Sequence, residues 1–260
     1  MFPLIALPVV GFLIGLFIIT LGGGGGAVYV GILTVVFHVP PVVAASTSLA
    51  TMIPTTAMGA FSHWRAGDAN IRLGLSLLGG GVLGAVVGSI CSGVLPQSVY
   101  DKIAGLAIVG ISIQMLVQIL WRNHRRSHVA PSASANPRTL CRFVQVGAYS
   151  VFGGILSGLI GISGSPAIVG GLSVLGCDVS EIAGTSVLVL LGVAITGFLM
   201  HLHLGTIDWP LLGLFLPGTL IGTFLGPVML HWLPPAGREK VLRPVFVVLM
   251  IGTGMALAIK

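Results

Sequence analysis

The feature that most limits the fold of this chain is a series of long apolar runs. Eight runs approach the roughly 20 residues that an α-helix needs to cross the hydrocarbon core of a bilayer. They span Phe2–Leu21, Val42–Trp64, Leu73–Leu95, Ile103–Trp121, Phe143–Ile160, Val179–Met200, Trp209–Trp232 and Val245–Ile259. Of the 260 residues, 55% are hydrophobic and only 7% are charged, and a water-soluble protein of this size cannot bury so many hydrophobic side chains. The sequence therefore predicts an all-α integral membrane protein.

Composition also argues against several classes of function. The net charge of +6 collects in short loops between apolar runs, as in cytoplasmic membrane loops, so nucleic-acid binding is not expected. The cysteines Cys91, Cys141 and Cys177 are isolated, which gives no basis for a redox pair or a thiolate metal site. The first run lacks the basic start and cleavage site of a signal peptide, so we expect it to remain a membrane segment.

No enzyme signature is present, and no cofactor is predicted. All six acidic residues lie near predicted loops, which leaves no buried carboxylate pair for acid–base catalysis or metal binding. They are Asp68, Asp101, Asp178, Glu181, Asp208 and Glu239. The absence of a carboxylate within the apolar runs also disfavours a cation pump, so an anion is the expected substrate.

The second half of the chain repeats the first at an offset of 138 residues. The superimposed positions include Ala45-Ser46-Thr47-Ser48 with Ala183-Gly184-Thr185-Ser186, His63 with His201, Gly67 with Gly205, Gly84 with Gly222, and, upstream, Gly15 with Gly153. We therefore predict a first transmembrane repeat (1–121), a basic cytoplasmic linker (122–142) and a second transmembrane repeat (143–260).

Each repeat also contains a shorter apolar stretch, Ala27–Phe37 in the first and Ser165–Leu175 in the second. A helix of about 11 residues covers only about 16 Å, half of the hydrocarbon core. Glycine-rich chain precedes each stretch, and about five extended residues would add roughly 16 Å. A broken helix of this kind would cross the bilayer, giving five crossings in each repeat.

The basic residues favour five crossings per repeat over four. Ten crossings in total place ten Lys and Arg residues inside and two outside, whereas eight crossings place eight inside and four outside. Because positive residues accumulate in cytoplasmic loops, we predict about ten transmembrane segments as two inverted repeats of five, with both termini outside. Tight re-entrant hairpins remain the alternative.

Inverted repeats with interrupted helices predict a substrate site where the two short helices begin. A helix start carries unpaired N–H groups and a positive dipole end, which attract anions. The candidate substrate-binding residues there are Gly24, Gly25, Gly26, Ser163, Gly164 and Ser165. Ser165 followed by Pro166 is typical of an N-cap and a first helical residue. The alternative is that the glycines only allow close helix packing.

Hydroxyl and titratable residues supply further candidates. Thr47, Ser48, Thr185 and Ser186 would donate to one shared anion from both repeats, unless they bond their own helix carbonyls. His63 and His201 would relay protons, and Arg65 would draw anions to the inner mouth. Both histidines also fit a simple role as polar anchors at the membrane interface.

The order of these motifs resembles a known family. The elements are Gly22–Gly26, the Ala-x-Thr-Ser element at 45–48 and again at 183–186, and the turns His63–Gly67 and His201–Gly205. Together with the tandem repeat, they resemble the sulfite exporter TauE/SafE family, also called the toluenesulfonate uptake permease family. The resemblance covers nearly the whole chain except the linker.

That resemblance implies a bacterial inner-membrane carrier of small sulfur-containing anions such as sulfite or organosulfonates, a secondary transporter that acts as an exporter. The lipid bilayer and the anion are then its partners. Two other functions fit the sequence: a membrane scaffold or assembly factor without transport activity, and a passive anion channel.

Overall fold

The computed structural model describes residues 2–18, 25–124, 139–231 and 243–259. These residues form ten α-helices and no strand, which confirms the predicted all-helical fold. The helices are α1 (Phe2–Ile18), α2 (Gly26–Val35), α3 (Pro41–Ala66), α4 (Ile71–Val94), α5 (Gln97–His124), α6 (Thr139–Ile160), α7 (Ser165–Leu175), α8 (Val179–His203), α9 (Trp209–His231) and α10 (Arg243–Ile259). Helices α5 and α6 extend into both ends of the predicted linker, whose central part lies outside the described residues.

The turns that follow α3 and α8 are built alike. Gly67 and Gly205 both have a positive φ, at 78° and 67°, a conformation that glycine adopts without strain. The next helix is then capped by a side chain: Asn70 Oδ1 accepts from the Leu73 N–H (3.1 Å), and an Asp208 carboxylate oxygen accepts from the Leu211 N–H (3.0 Å). Repeated sequence thus gives repeated local structure.

Close parallel pairs form where glycines face backbone. Helix α4 packs on α6, and α1 packs on α9. A β-carbon at Gly84 would collide with the Val151 carbonyl of α6, and one at Gly154 would collide with the Gly81 carbonyl of α4. Residue numbers rise together along α4 and α6, so these helices run parallel. Only glycine permits backbones to approach so closely.

The contacts between α1 and α9 show that the repeat offset is one residue larger in the first helix of each repeat than it is from α3 onward. Gly15 faces the backbone of Thr219, just as Gly154 faces Gly81. Gly154 is therefore the structural counterpart of Gly15, and the predicted match with Gly153 is wrong. The starts of α2 and α7 show the same shift, since Gly26 and Ser165 are separated by one residue more than the offset from α3 onward.

The central helices α3 and α8 cross in opposite directions. Gly59 of α3 lies against Val187 of α8, and Gly197 of α8 lies against Leu49 of α3. Residue numbers rise along one helix as they fall along the other. Gly59 and Gly197 are repeat partners, and so are Leu49 and Val187, so the two copies use the same contact twice.

Helices α5 and α10 also run antiparallel. Gly105 of α5 lies against Ala258, and Gly254 of α10 lies against Val109. Helix α10 additionally packs on α2, where Gly31 contacts a threonine side chain. The short α2 is consequently enclosed, and nearly all of its residues are buried.

The second short helix runs back along the helix that precedes it. After α6 ends, residues 161–164 are not helical, and α7 begins with Gly164 packed against the Gly153 carbonyl. Farther along α7, Gly171 packs against Tyr149 and Val146 of α6. Since residue numbers fall along α6, α7 is antiparallel to α6 and starts about two turns from its end, well inside the bundle.

The outward-facing surface of the bundle is strongly apolar. Large hydrophobic side chains such as Val94 (80% exposed) and Leu83 (66% exposed) project from α4. Two of the helices described, Ile71–Val94 and Ser180–His203, have the length and composition to cross a membrane. An apolar exterior around a core that contains many buried hydroxyls is the arrangement expected in lipid.

The glycine contacts between α4 and α6 predict a large effect on stability. We expect Gly154→Leu to force the two backbones apart and to lower the midpoint of thermal unfolding in detergent, at a cost of about 1–3 kcal/mol or more. Gly147→Leu on the same helix is the matched control, because a β-carbon there would meet no atom within 4 Å. Equal losses in the two variants would contradict the packing account.

Candidate functional site

The start of α2 meets the non-helical segment before α7 in the interior of the bundle. A β-carbon at Gly26 would lie 2.6 Å from both the Gly161 carbonyl oxygen and the Ser163 nitrogen. The Ser48 hydroxyl donates to the Gly161 carbonyl (2.8 Å) and lies 3.3 Å from the Gly26 carbonyl. Three predicted site residues, Gly26, Ser48 and Ser163, thus come together beside Gly161, although they are far apart in sequence.

The start of α7 differs by one residue from the predicted cap. Gly164 is the N-cap, and Ser165 is already the first helical residue. The backbone N–H of Ser165 donates to the Ser163 hydroxyl oxygen (3.3 Å), and Pro166 follows in the first turn. Ser163 is almost fully buried. Because its oxygen accepts one bond, its proton remains available for a second partner.

The glycines at this junction allow backbone segments to touch each other. A β-carbon at Gly164 would collide with the Gly153 carbonyl, and one at Gly161 would collide with the backbone of Ala45. Packing alone therefore requires glycine at both positions. At the start of α2, Gly25 is the N-cap, and Gly24 lies outside the described residues.

The two Thr-Ser pairs are not brought together. Thr47 donates to the Val43 carbonyl (2.9 Å) one turn earlier, and Thr185 accepts from the Asn70 backbone N–H (3.1 Å). From the contacts between α3 and α8, Thr47 lies about fourteen residues, or roughly 21 Å, from the level of Thr185. The prediction that these threonines share one anion is wrong.

Ser186 also bonds within its own helix, since its hydroxyl donates to the Ala183 carbonyl (3.1 Å). Ser48 differs from its repeat partner, because it bonds across to Gly161. Of the four hydroxyls in the Thr-Ser pairs, only that of Ser48 therefore contacts the buried junction. Its proton is directed to a carbonyl, so its place here is as a link between α3 and the segment before α7.

The carbonyl end of α6 is capped by side chains from three other helices. The Gly158 carbonyl accepts from His201 Nε2 (2.9 Å) and from the Ser89 hydroxyl (3.3 Å). The Leu159 carbonyl accepts from the Tyr100 hydroxyl (2.6 Å). The last carbonyls of a helix have no partner within the helix, and a buried helix end must obtain donors elsewhere. Here α4, α5 and α8 provide them.

His201 lies within a group of hydrogen bonds that joins α8, α6 and α3. Nε2 donates to the Gly158 carbonyl (2.9 Å), because a carbonyl only accepts, and Nδ1 lies 2.9 Å from the Thr206 hydroxyl oxygen, which also lies 3.1 Å from the His201 carbonyl oxygen. The Ser46 hydroxyl lies 2.9 Å from the Val43 carbonyl of its own helix and 3.1 Å from the Thr206 carbonyl, so α3 joins this group beside Ser48. His201 is fully buried and has a partner on both ring nitrogens.

The repeat partner of His201 has a different environment. His63 is about one-third exposed, and its Nδ1 lies 3.3 Å from an Asp68 carboxylate oxygen. Arg65, two residues further along the chain, stacks its guanidinium over the Phe61 ring, 5.5 Å from the ring centroid. The structure therefore separates the predicted relay and mouth residues: His201 lies in the interior, while His63 and Arg65 lie at an exposed end.

Buried charge is scarce in the part of the chain that the structure describes. Among the Asp, Glu, His, Lys and Arg side chains of those residues, Asp101 and His201 are buried, and Asp101 accepts from the Gln97 amide (3.1 Å) at the start of α5. No group of three or more His, Cys, Asp and Glu side chains comes together within those residues. The junction therefore offers hydroxyls, backbone groups and helix starts to a ligand.

The turn between α7 and α8 holds one perturbed thiol. Partial burial raises the pKa of Cys177, and the nearby carboxylates of Glu181 and Asp178 raise it further. The thiol therefore stays protonated at neutral pH, and its reactivity as a nucleophile is low.

The different environments of the two histidines predict different stability effects. We expect His201→Ala to remove one donor from the Gly158 carbonyl and to open a cavity. The free energy of unfolding should fall by about 1–3 kcal/mol, which a lower thermal midpoint would report. His63→Ala is the matched control and should cost no more than about 1 kcal/mol, because its pair is partly exposed. A larger loss in the His63 variant would contradict this reading.

Comparisons with known proteins identify the family to which the chain belongs. The profile of the family described as Sulfite exporter TauE/SafE matches residues 7–257. The chain is 28% identical to the probable membrane transporter protein YdhB of Bacillus subtilis (strain 168), over 86% of this chain and 89% of that protein. It is 25% identical to the probable membrane transporter protein YunE of the same organism, over 85% and 86%. No solved structure matches. The chain belongs to the sulfite exporter TauE/SafE family of membrane transporters.

Proposed function

We propose that this membrane transporter carries small sulfur-containing anions, such as sulfite or organosulfonates, outward across the bacterial inner membrane. The family description names sulfite export, and both relatives are named probable membrane transporters. The transport class follows from family membership. The sulfur anion and the outward direction rest on the family description, and the chemistry of the junction supports an anion as substrate.

The observation that carries the proposal is the buried meeting of the α2 start with the segment before α7. Gly26 lies against Gly161 and Ser163, deep in the bundle, and α7 begins beside them. A helix start presents N–H groups and positive dipole, and hydroxyls add donors without a fixed charge that would hold the ion too tightly. Such a site suits an anion better than a cation.

We further propose ten crossings in two inverted repeats. The antiparallel contacts of α3 with α8 and of α5 with α10 support this, because corresponding helices of two parallel copies would point the same way. The parallel contacts of α4 with α6 and of α1 with α9 fit the same scheme. With only four crossings per repeat, α3 and α8 would run in the same direction. The proposed scheme therefore requires the short helices α2 and α7 to complete crossings.

Labelling of repeat partners tests the inverted topology. Ala66 and Leu204 are exposed repeat partners at the ends of α3 and α8. In a variant without Cys91, Cys141 and Cys177, we expect single cysteines at these two positions to react with a membrane-impermeant maleimide from opposite sides. Reaction of both from the same side would rule out inverted repeats.

A flux measurement separates the proposed carrier from its alternatives. Purified protein in lipid vesicles should take up labelled sulfite or an organosulfonate with a saturable rate, and unlabelled anion on the opposite side should accelerate exchange. A membrane scaffold would give no flux above empty vesicles. A passive channel would give flux that neither saturates nor shows exchange acceleration. Either result would overturn the proposed carrier function.

A further inference from the structure

Ser157, in the last turn of α6, has one of four buried hydroxyls without a hydrogen-bond partner in the described part of the bundle; the others belong to Tyr29, Thr34 and Thr223. Ser157 is fully buried, and it alone of the four belongs to the helix that packs against the start of α7. Helical serines ordinarily bond a carbonyl three or four residues back, as Ser112 and Ser173 do here. A buried hydroxyl without a partner costs about 1–3 kcal/mol, so it calls for an explanation.

The position of Ser157 on α6 directs its side chain between the start of α7 and α4. The β-carbon direction at Gly153 meets the carbonyl oxygen of the N-cap Gly164 at 2.9 Å and Ile168, in the first turn of α7, at 3.3 Å. The direction at Gly154 meets α4 instead. At about 100° per residue, Ser157 points between these two directions.

The tilt of helical side chains sets the direction of the Ser157 hydroxyl along the axis of α6. Each Cα–Cβ bond leans toward the start of its own helix, so a side chain covers the turn before its Cα. The Ser157 hydroxyl therefore leans along α6 toward the level at which α7 begins, on the side of α6 that faces both α4 and α7.

The start of α7 supplies a second hydroxyl donor. There the Ser165 N–H donates to the Ser163 oxygen, Pro166 has no N–H, and the Ala167 N–H donates to the Gly164 carbonyl (3.2 Å), so it is the Ser163 hydroxyl that has a proton left to donate. Ser157 adds a hydroxyl from a separate helix, and the two hydroxyls match two of the three oxygens of a sulfite or sulfonate group.

We propose that Ser157 is an anion-binding residue, which donates its hydroxyl proton to one oxygen of a sulfur oxyanion held at the start of α7. This rests on the proposed anion transport. The bound oxyanion is the partner that the hydroxyl lacks. The corresponding position in α1, one repeat earlier by the register of the first helices, is the apolar Ile18, so the donor comes from the second repeat alone.

Two alanine variants on one face of α6 test the proposal. Ser150 lies two turns before Ser157, and its hydroxyl already donates to the Leu77 carbonyl of α4 (2.6 Å). Binding of sulfite and of methanesulfonate to detergent-purified protein would be measured by calorimetry. We expect Ser157→Ala to weaken both by roughly five- to thirtyfold, the loss typical of one hydrogen bond to a charged group, and Ser150→Ala to leave both unchanged.

Stability without anion provides a second, independent readout. Removing an unpartnered buried hydroxyl should leave the thermal midpoint of Ser157→Ala equal to or above that of the parent protein, whereas Ser150→Ala should lower it. The rise in midpoint on adding sulfite should shrink in the Ser157 variant only.

The outcomes separate this inference from the proposed function. If the parent protein binds sulfite and Ser157→Ala binds it equally well, Ser157 is not an anion ligand and the inference is wrong, while anion transport stands. If the parent protein binds neither probe, the proposed anion function itself fails. A lower midpoint for Ser157→Ala without anion would mean that the hydroxyl has a structural partner, which would also overturn the inference.

Discussion

The structure depends on ending α6 in the interior of the bundle. A helix that ends away from water leaves its last carbonyls unpaired, and each unpaired group in an apolar environment costs several kcal/mol. Imidazole and hydroxyl donors from α4, α5 and α8 supply bonds to Gly158 and Leu159, and Ser48 of α3 supplies one to Gly161. Four helices are thereby fixed around one turn, and α7 can begin at mid-depth.

Glycine makes that arrangement compact. Where α4 crosses α6 and where α1 crosses α9, carbonyls occupy the space that a β-carbon would need. The same holds at Gly164, where α7 begins against α6. Close backbone approach brings the start of α7 next to the hydroxyls of α6, and this proximity gives the proposed anion site its donors. Packing and binding therefore draw on the same glycines, so substitutions at those glycines cannot separate the two roles.

Much of the fold was predictable because the signals are local. Apolar length marks the long helices, and the Ser165-Pro166 pair marks the start of α7 to within one residue. The repeat offset predicted corresponding turns at Gly67 and Gly205 correctly. The offset failed upstream, at Gly15, because the first repeat has one residue more than the second between the start of its short helix and its next helix. The short glycine motifs of the first helices match equally well at either offset.

The site was less predictable because it depends on where helices cross. Repeat partners in antiparallel helices lie close together only near the point where the helices cross, and the sequence does not reveal that point. Thr47 and Thr185 are away from the crossing of α3 and α8 and therefore lie far apart. The contact of His201 with Gly158 joins residues on different helices and leaves no local pattern. One signal was available: the repeat partner of Asp68, which lies beside His63, is Thr206, which lies beside His201, and a hydroxyl is buried beside an imidazole at a lower cost than a carboxylate.

A sulfur oxyanion bound at the buried start of α7 would be visible in an experimental structure of the protein in lipid with sulfite or an organosulfonate, where the anomalous scattering of sulfur locates the anion. We expect the sulfur beside the first turn of α7, with its oxygens within hydrogen-bonding distance of the Ser157 and Ser163 hydroxyls. An anion found only at exposed basic side chains such as Arg65 and Arg72, with the start of α7 unoccupied, would rule out the proposed site.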